Sequence, residues 1–278
     1  MADNIKIFND TMDLIKQSVV LKQAVRNSIA EQQLFLESEE YDFNVNEKRQ
    51  QEAEIVVSKK RTFEAAQNYV KTGKKVCVLN FASSVNPGGG VKRGASAQEE
   101  CLCRCSTLYP CLNVERFWNQ FYYPHRNLNN ALYNDDCIYT PDIYVVKTDT
   151  SSPKRMPEKD WYQVDVLTCA APNLRKNPTN IYNPEGGKPA TSLTRDKLQK
   201  LLTSRINRIF QVASSNGAEV LILGAFGCGA FRNPPEVVAQ VFKEVSKEYK
   251  YYFDTIEYAV FCRGYETENY DAFKEAFE

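Results

Sequence analysis

Apolar positions follow two periods along this chain. From Ile5 to about Glu37, the residues Ile5, Phe8, Met12, Ile15, Val19, Leu21, Val25 and Ile29 recur at near-helical spacing with charged residues between them, which predicts a pair of amphipathic helices. A polar stretch, Ser38 to Gln51, follows, so the helical front is expected to end near residue 52. Beyond it, Glu54-Ile-Val-Val-Ser58 is a short β-branched run that predicts a first strand. Thr62 is placed to N-cap a helix through Tyr69 closed by Gly73, and Lys75 to Asn80 reads as a buried strand. Later strands are expected at Asp142 to Lys147, Gln163 to Cys169, Val220 to Leu223 and Tyr258 to Phe261. Helices are expected at Thr194 to Ser214, Pro235 to Tyr249 and Asp271 to Phe277. The alternation predicts an α/β domain with helices on both faces of a mixed sheet, and its first strand-helix-strand unit a right-handed crossover. Thr150 to Asp160 and Asn173 to Pro189, rich in Pro, Asn, Lys and Gly, read as surface loops.

Two glycine clusters interrupt this pattern just after strands. In the first, Asn80-Phe-Ala-Ser-Ser-Val-Asn-Pro-Gly-Gly-Gly90 runs on through Val-Lys-Arg-Gly-Ala-Ser-Ala to Gln98-Glu99-Glu100. Gly88, Gly89 and Gly90 let the backbone take φ > 0 and approach a charged ligand closely, and the acids arrive at what reads as a helix start. The second cluster, Gly224-Ala-Phe-Gly-Cys-Gly-Ala-Phe-Arg-Asn-Pro-Pro235, follows an apolar run and precedes a helix opened by Pro234 or Pro235. A glycine loop alone is often only a turn. Two of them beyond strand ends can converge on one ligand in an open α/β sheet, and two anion nests suit a diphosphate. Neither ends in the Gly-Lys-Ser/Thr of a P-loop or keeps the dinucleotide fingerprint spacing.

Glu99 and Glu100 are sequence neighbours, so on a helix their side chains diverge by ~100° and their roles should differ. Such a pair is usually a solvated helix start. Next to a glycine loop it gains a chemical reading, in which one acid holds a sugar while the other, desolvated and raised in pKa, moves protons. Cleavage of a glycosidic bond needs a carboxyl group of this kind to protonate the leaving oxygen as charge develops at the anomeric carbon.

Charge narrows the ligand class. The 278 residues hold 35 Lys and Arg against 35 Asp and Glu, so there is no global basic field for DNA or for an acidic membrane, and an anion must be held locally. Nine cysteines, an odd number, fit a reducing compartment better than a secreted disulfide framework, and the expected location is cytoplasmic. No N-terminal signal pattern and no apolar run of ~20 residues is present, so no membrane contact is expected.

The glycine triplet followed by Gln98-Glu99-Glu100 resembles the signature of the microbial-type poly(ADP-ribose) glycohydrolases of the macrodomain superfamily. Val78 to Ser83, Leu102 to Tyr109, Ala170 to Asn173 and Leu223 to Phe231 are similar to that family's blocks in the same order, from about Glu54 to Phe261. The resemblance implies a three-layer α/β/α macrodomain over residues 53–278, with residues 1–52 as an N-terminal helical extension. It also implies hydrolysis of the ribose-ribose O-glycosidic bonds of poly(ADP-ribose) to release ADP-ribose, with neither metal nor cofactor. Glu100 matches the catalytic acid and Glu99 the residue that orients the ribose. Gly88, Gly89 and Gly90 match the loop beside the diphosphate, with Gln98 at its far end. Gly227, Cys228, Gly229, Ala230 and Phe231 match the second diphosphate loop, and Phe231 is expected near the distal ribose, which Asn80 and Asn86 contact. The adenine site is expected between Ser58 and Thr62. Val91-Lys92-Arg93 departs from the bulkier apolar residues common there, which could alter chain-length preference.

The implied partners are poly(ADP-ribose) or ADP-ribose and poly-ADP-ribosylated proteins, without DNA. A non-catalytic reader of ADP-ribose, or an enzyme removing ADP-ribose from a base or a protein side chain, are the alternatives, and the adjacent acids argue against both. His125, the only histidine, is expected to be a packed loop residue rather than a triad base. Cys101, Cys103 and Cys105 lack zinc-knuckle spacing and read as helix packing. Cys228 sits where backbone dipoles could lower its pKa.

Overall fold

A computed structural model of the chain describes residues 2–43, 48–190 and 193–278; part of the polar stretch Ser38 to Gln51 therefore lies outside the described residues. The helical front is α1 (Ala2–Gln17) and α2 (Val19–Glu31), as expected. Ser18 caps α2 through its hydroxyl, which accepts from the Leu21 amide at 3.2 Å. This break resets the helical phase, so Val19 leaves the apolar stripe and is 76% exposed, whereas Phe8, Ile15 and Leu21 are buried.

A strand absent from the sequence reading follows: β1 (Gln33–Phe35), only three residues long, pairs antiparallel with β4 (Cys137–Val145). The remaining strands are β2 (Glu54–Ser58), β3 (Val76–Phe81), β5 (Tyr162–Cys169), β6 (Val220–Leu223) and β7 (Thr255–Ala259). They form one seven-stranded sheet in the order β1-β4-β5-β3-β6-β7-β2. The helices are α3 (Thr62–Val70), α4 (Gln98–Cys105), α5 (Leu108–Leu112), α6 (Glu115–Phe117), α7 (Tyr123–Leu128), α8 (Arg195–Ser215), α9 (Pro235–Tyr249) and α10 (Glu268–Phe277), and a π-helical turn joins α6 to α7 over Trp118–Tyr122.

Side chains on the central strands alternate between two apolar layers, as the twofold period of a strand requires. Cys77, Leu79, Leu167, Leu221, Leu223 and Ile256 face a core shared with α8, α9 and α10. Val76, Val78, Val166, Val220 and Ile222 face a second core with α1, α3, α4, α5 and the π turn. The result is a three-layer α/β/α arrangement around a mixed sheet. Five strands, β5, β3, β6, β7 and β2, run parallel, so their carboxyl ends and the segments that follow them share one edge.

Several boundaries move. β4 begins at Cys137 rather than Asp142, because a register shift between Thr140 and Ile143, with Asp142 at φ +55°, lets a strand pass through Pro141-Asp142, which reads as a turn. β7 starts three residues before the expected Tyr258 to Phe261 and ends at Ala259. Thr62 is the first residue of α3, not its cap; the Asp149 carboxylate, from a distant loop, accepts from the Phe63 amide at 3.0 Å instead. His125 is packed, as expected, but within α7, with Phe121 O and Asn134 Oδ1 at its ring nitrogens.

One buried ion pair ties the segment leading into β4 to the end of β5 beside it. Arg205 on α8 is 1% exposed; its Nε donates to Asp135 Oδ1 at 2.9 Å and its Nη1 to Leu132 O and to Ala170 O, just after β5. Asp135→Ala would strand that guanidinium, so a loss of about 3–5 kcal/mol is expected. Urea unfolding should show it as a lower midpoint at unchanged slope; a wild-type midpoint would refute the role given to this pair.

Candidate active site

Segments leaving the parallel strands line one cleft of about 940 Å3. Ser83 and the glycine loop come from β3, Ala171 from β5, Gly227, Gly229, Ala230 and Phe231 from β6, Phe261 from β7 and Arg61 from β2. Within the first loop, Gly88 and Gly89 have φ of +67° and +55°, but Gly90 has φ −95°, so its need for glycine is spatial. A Cβ on Gly90 would stand 2.9 Å from the Cβ atoms of Ala95 and Tyr182.

The acid pair opens α4 and is not a solvated helix start. Glu99 is 2% and Glu100 6% exposed. Glu100 Oε1 accepts from the Gly90 amide at 2.8 Å, while its buried Oε2 has no partner. Glu99 Oε2 accepts from the Ser83 amide at 2.7 Å, and its Oε1 receives a long 3.4 Å contact from Asn80 Nδ2. Burial pushes both carboxyls above the usual glutamate range; the Glu100 charge adds to the rise at Glu99, and the Gly90 hydrogen bond opposes it at Glu100. The two acids therefore differ in how fully their oxygens are engaged.

Gln98, Glu99, Glu100, Gly89, Gly90, Gly227, Gly229, Ala230 and Phe231 share the cleft wall. Gln98 spends its amide on the fold, accepting from Phe81 N and donating to Leu79 O and Thr62 Oγ1. Asn80 lies fully buried one layer beneath, bonded to Glu99 and Thr168. Asn86, Gly88 and Cys228 stand off the wall: Asn86 Oδ1 accepts from Arg126, and a Cβ on Gly88 would point at Tyr109 and Cys103. Cys228 corrects the expectation of a pKa lowered by backbone dipoles, since burial raises it instead.

Other wall residues carried no signal in the sequence. Asn4 arrives from α1, Arg104 from the second turn of α4, Asp149, Thr150, Ser151 and Pro153 from the loop after β4, Tyr182 and Asn183 from a polar loop, and Arg263 from the segment beyond β7. The Arg61 guanidinium lies 3.8 Å from the Phe261 ring centroid at one end of the cleft. Among the described residues no group of three or more His, Cys, Asp or Glu is placed to hold a metal ion, and no helix is long and apolar enough to cross a membrane.

Fold and site together define a macrodomain-like α/β/α protein with two buried acids facing glycine loops. A family model for the microbial-type PARG catalytic domain matches residues 7–148, a little over half the chain. The chain belongs to that family. It is similar to the crystal structure of poly(ADP-ribose) glycohydrolase from Thermomonospora curvata, at 26% identity over 100% of both chains with a TM-score of 0.81. The same enzyme bound to the inhibitor ADP-HPD gives 0.80 at the same identity and coverage. The Deinococcus radiodurans poly(ADP-ribose) glycohydrolase in complex with ADP-ribose is 28% identical over 91% of this chain and 96% of that one, with a TM-score of 0.75. No curated protein matches the chain.

A Cβ on Gly89 would stand 2.6 Å from Glu100 Oε1 and 3.0 Å from Glu99 Oε2 at a φ of +55°. Gly89→Ala is therefore expected to displace both carboxyls and to cut turnover by roughly 100-fold, the scale of a 1 Å misplacement, while far-ultraviolet circular dichroism stays unchanged. Wild-type turnover in this variant would show that the acids tolerate the shift.

Proposed function

We propose how the buried acids of this chain divide the work of glycoside cleavage. As a member of its family the chain is a poly(ADP-ribose) glycohydrolase, a glycoside hydrolase acting on poly(ADP-ribose). Its ligand is ADP-ribose, carried by relatives of the same fold, and its substrate is the polymer, free or on modified proteins. DNA is no partner, consistent with the zero formal net charge.

Glu100 is the general acid. The observation that carries this is the asymmetry of its carboxyl: Oε1 is fixed by the Gly90 amide and Oε2 is buried without a partner. Burial raises this carboxyl's pKa above the ordinary glutamate range and so favours the protonated form, and the oxygen of the carboxyl left to carry the proton toward a leaving ribose hydroxyl is Oε2. After departure the carboxylate activates the water that captures the oxocarbenium ion. Glu99, with both oxygens engaged, orients the ribose, and Asn80 supports it from below. The loops Gly88–Gly90 and Gly227–Phe231 take the diphosphate, Gln98 fixes the start of α4 between them, and Phe231 sits toward the distal ribose. Asn86 and Cys228 act from behind their loops. The base lies toward Arg61 and Phe261, next to the Ser58 to Thr62 segment. Of the extension expected over residues 1–52, α1 and α2 pack on the domain of residues 53–278, with α1 against α4, while β1 joins its sheet. The nine unpaired cysteines support a reducing, cytoplasmic setting.

Release of ADP-ribose from purified polymer tests the assignment. Glu100→Gln is expected to lose roughly 10²- to 10⁴-fold in kcat while still binding ADP-ribose by calorimetry; retained turnover would sink the role of Glu100, and binding without turnover in the wild type would favour a reader. The acid works only while protonated, so kcat/KM should hold at low pH and fall as pH rises through a carboxyl pKa above the ordinary value of 4.5. A profile with no alkaline limb from such a group would contradict this.

A further inference from the structure

Arg104 is a buried charge on the cleft wall that the reaction as described leaves unused. It is 3% exposed and lies one turn beyond Glu100 on α4. Its Nη1 donates to Ala95 O at 2.6 Å and its Nη2 to Cys101 Sγ at 3.1 Å, while its buried Nε has no partner. An apolar side chain of similar length would avoid burying an incompletely paired guanidinium, so stability alone does not account for the arginine.

The hydrogen bonds around it close a circuit. Arg104 donates to Ala95 O, the Ala95 amide donates to Gly90 O at 3.2 Å, and the Gly90 amide donates to Glu100 Oε1 at 2.8 Å. One turn of α4 completes the ring from Glu100 back to Arg104. The first helix grips this ring at Arg104 and holds the residue next to its Ala95 member. Thr11 Oγ1 donates to the Arg104 carbonyl at 2.5 Å, where the end of α4 leaves that oxygen without an intrahelical donor, and Asn4 Nδ2 donates to Gly94 O at 3.0 Å. α1 is itself pinned: Lys147, 2% exposed, donates to Ile7 O at 2.7 Å and pairs with Asp10, which Arg155 also holds.

We infer that Arg104, gripped by the first helix, is a positioning residue that fixes the Glu100 carboxyl against the glycine loop. The inference rests on Glu100 being the acid. It gives the N-terminal helix a share in turnover, although α1 contributes no group to the chemistry.

Full-length Arg104→Met, Arg104→Lys, Thr11→Val and Thr11→Ser would be compared for kcat on polymer, ADP-ribose affinity and Tm. Arg104→Met should lose roughly 10- to 100-fold in kcat, with affinity and Tm close to wild type. Arg104→Lys should recover part of the loss. Thr11→Val should lower kcat less, Thr11→Ser should match wild type, and Arg104→Met combined with Thr11→Val should be no worse than Arg104→Met alone. Wild-type kcat in Arg104→Met, or kcat, affinity and Tm falling in parallel, would overturn the inference. Glu100→Gln run alongside separates the two claims: retained activity there removes the acid, whereas loss there with full activity in Arg104→Met removes only the clamp.

Discussion

Two neighbouring carboxyl groups shut away from water are the constraint around which this end of the molecule is built. Burial raises the cost of ionising both, and at Glu99 the neighbouring Glu100 charge raises it further. The fold answers with backbone amides from two different segments. Ser83, at the end of β3, serves Glu99, and Gly90, in the glycine loop, serves Glu100. Because adjacent helical residues diverge by ~100°, neither segment can serve both, and the loop between them must come within contact of two carboxyls at Gly89. A side chain there would occupy the space the oxygens need. The glycine triplet is thus demanded by the acids as much as by any ligand.

Sheet topology brings the partners to that point. The parallel run β5-β3-β6-β7-β2 delivers five chain segments to one edge, so residues as far apart as Arg61 and Phe261 become neighbours. Antiparallel β4 and β1 extend the sheet on the other side, away from this convergence. Polar anchors such as Asn233, which donates to Pro172 O and Gly227 O, then lock loops that follow different strands onto each other. Function sits in the loops, and the strands fix their relative positions.

Much of this was legible in the chain because the signals are local. β2, β6 and α9 lie where the β-branched and amphipathic runs place them, and α8 starts at the Thr194 cap. The acids and both glycine loops were visible as motifs. Where the reading failed, the cause was non-local or conflicting chemistry. β1 has three residues and exists through its pairing with β4, and Pro141-Asp142 disguised a bulged strand as a turn. α5, α6 and the π turn carry a mixed aromatic pattern without a clean period, and their burial of Phe117, Phe121 and Tyr122 is set by tertiary packing. On the cleft wall, Asn4, Arg104 and Asp149 were silent for a related reason. A single polar residue has no signature until the fold brings it beside another.

The balance of charge gives the cleft its character. With equal numbers of acidic and basic side chains, the protein has no net field to gather an anionic polymer from a distance. Under the proposed function recognition is short-ranged, through amides of two glycine loops and guanidinium groups such as Arg61, Arg175 and Arg263 that reach the cleft singly. That suits the acid pair. A strongly positive cleft would pull protons off Glu99 and Glu100 by favouring their charged forms, whereas a site that binds anions mainly with neutral backbone dipoles leaves burial in control of their pKa values. Neutral amides and buried acids are therefore compatible in one cavity in a way that a lysine-rich phosphate site and a protonated carboxyl would not be.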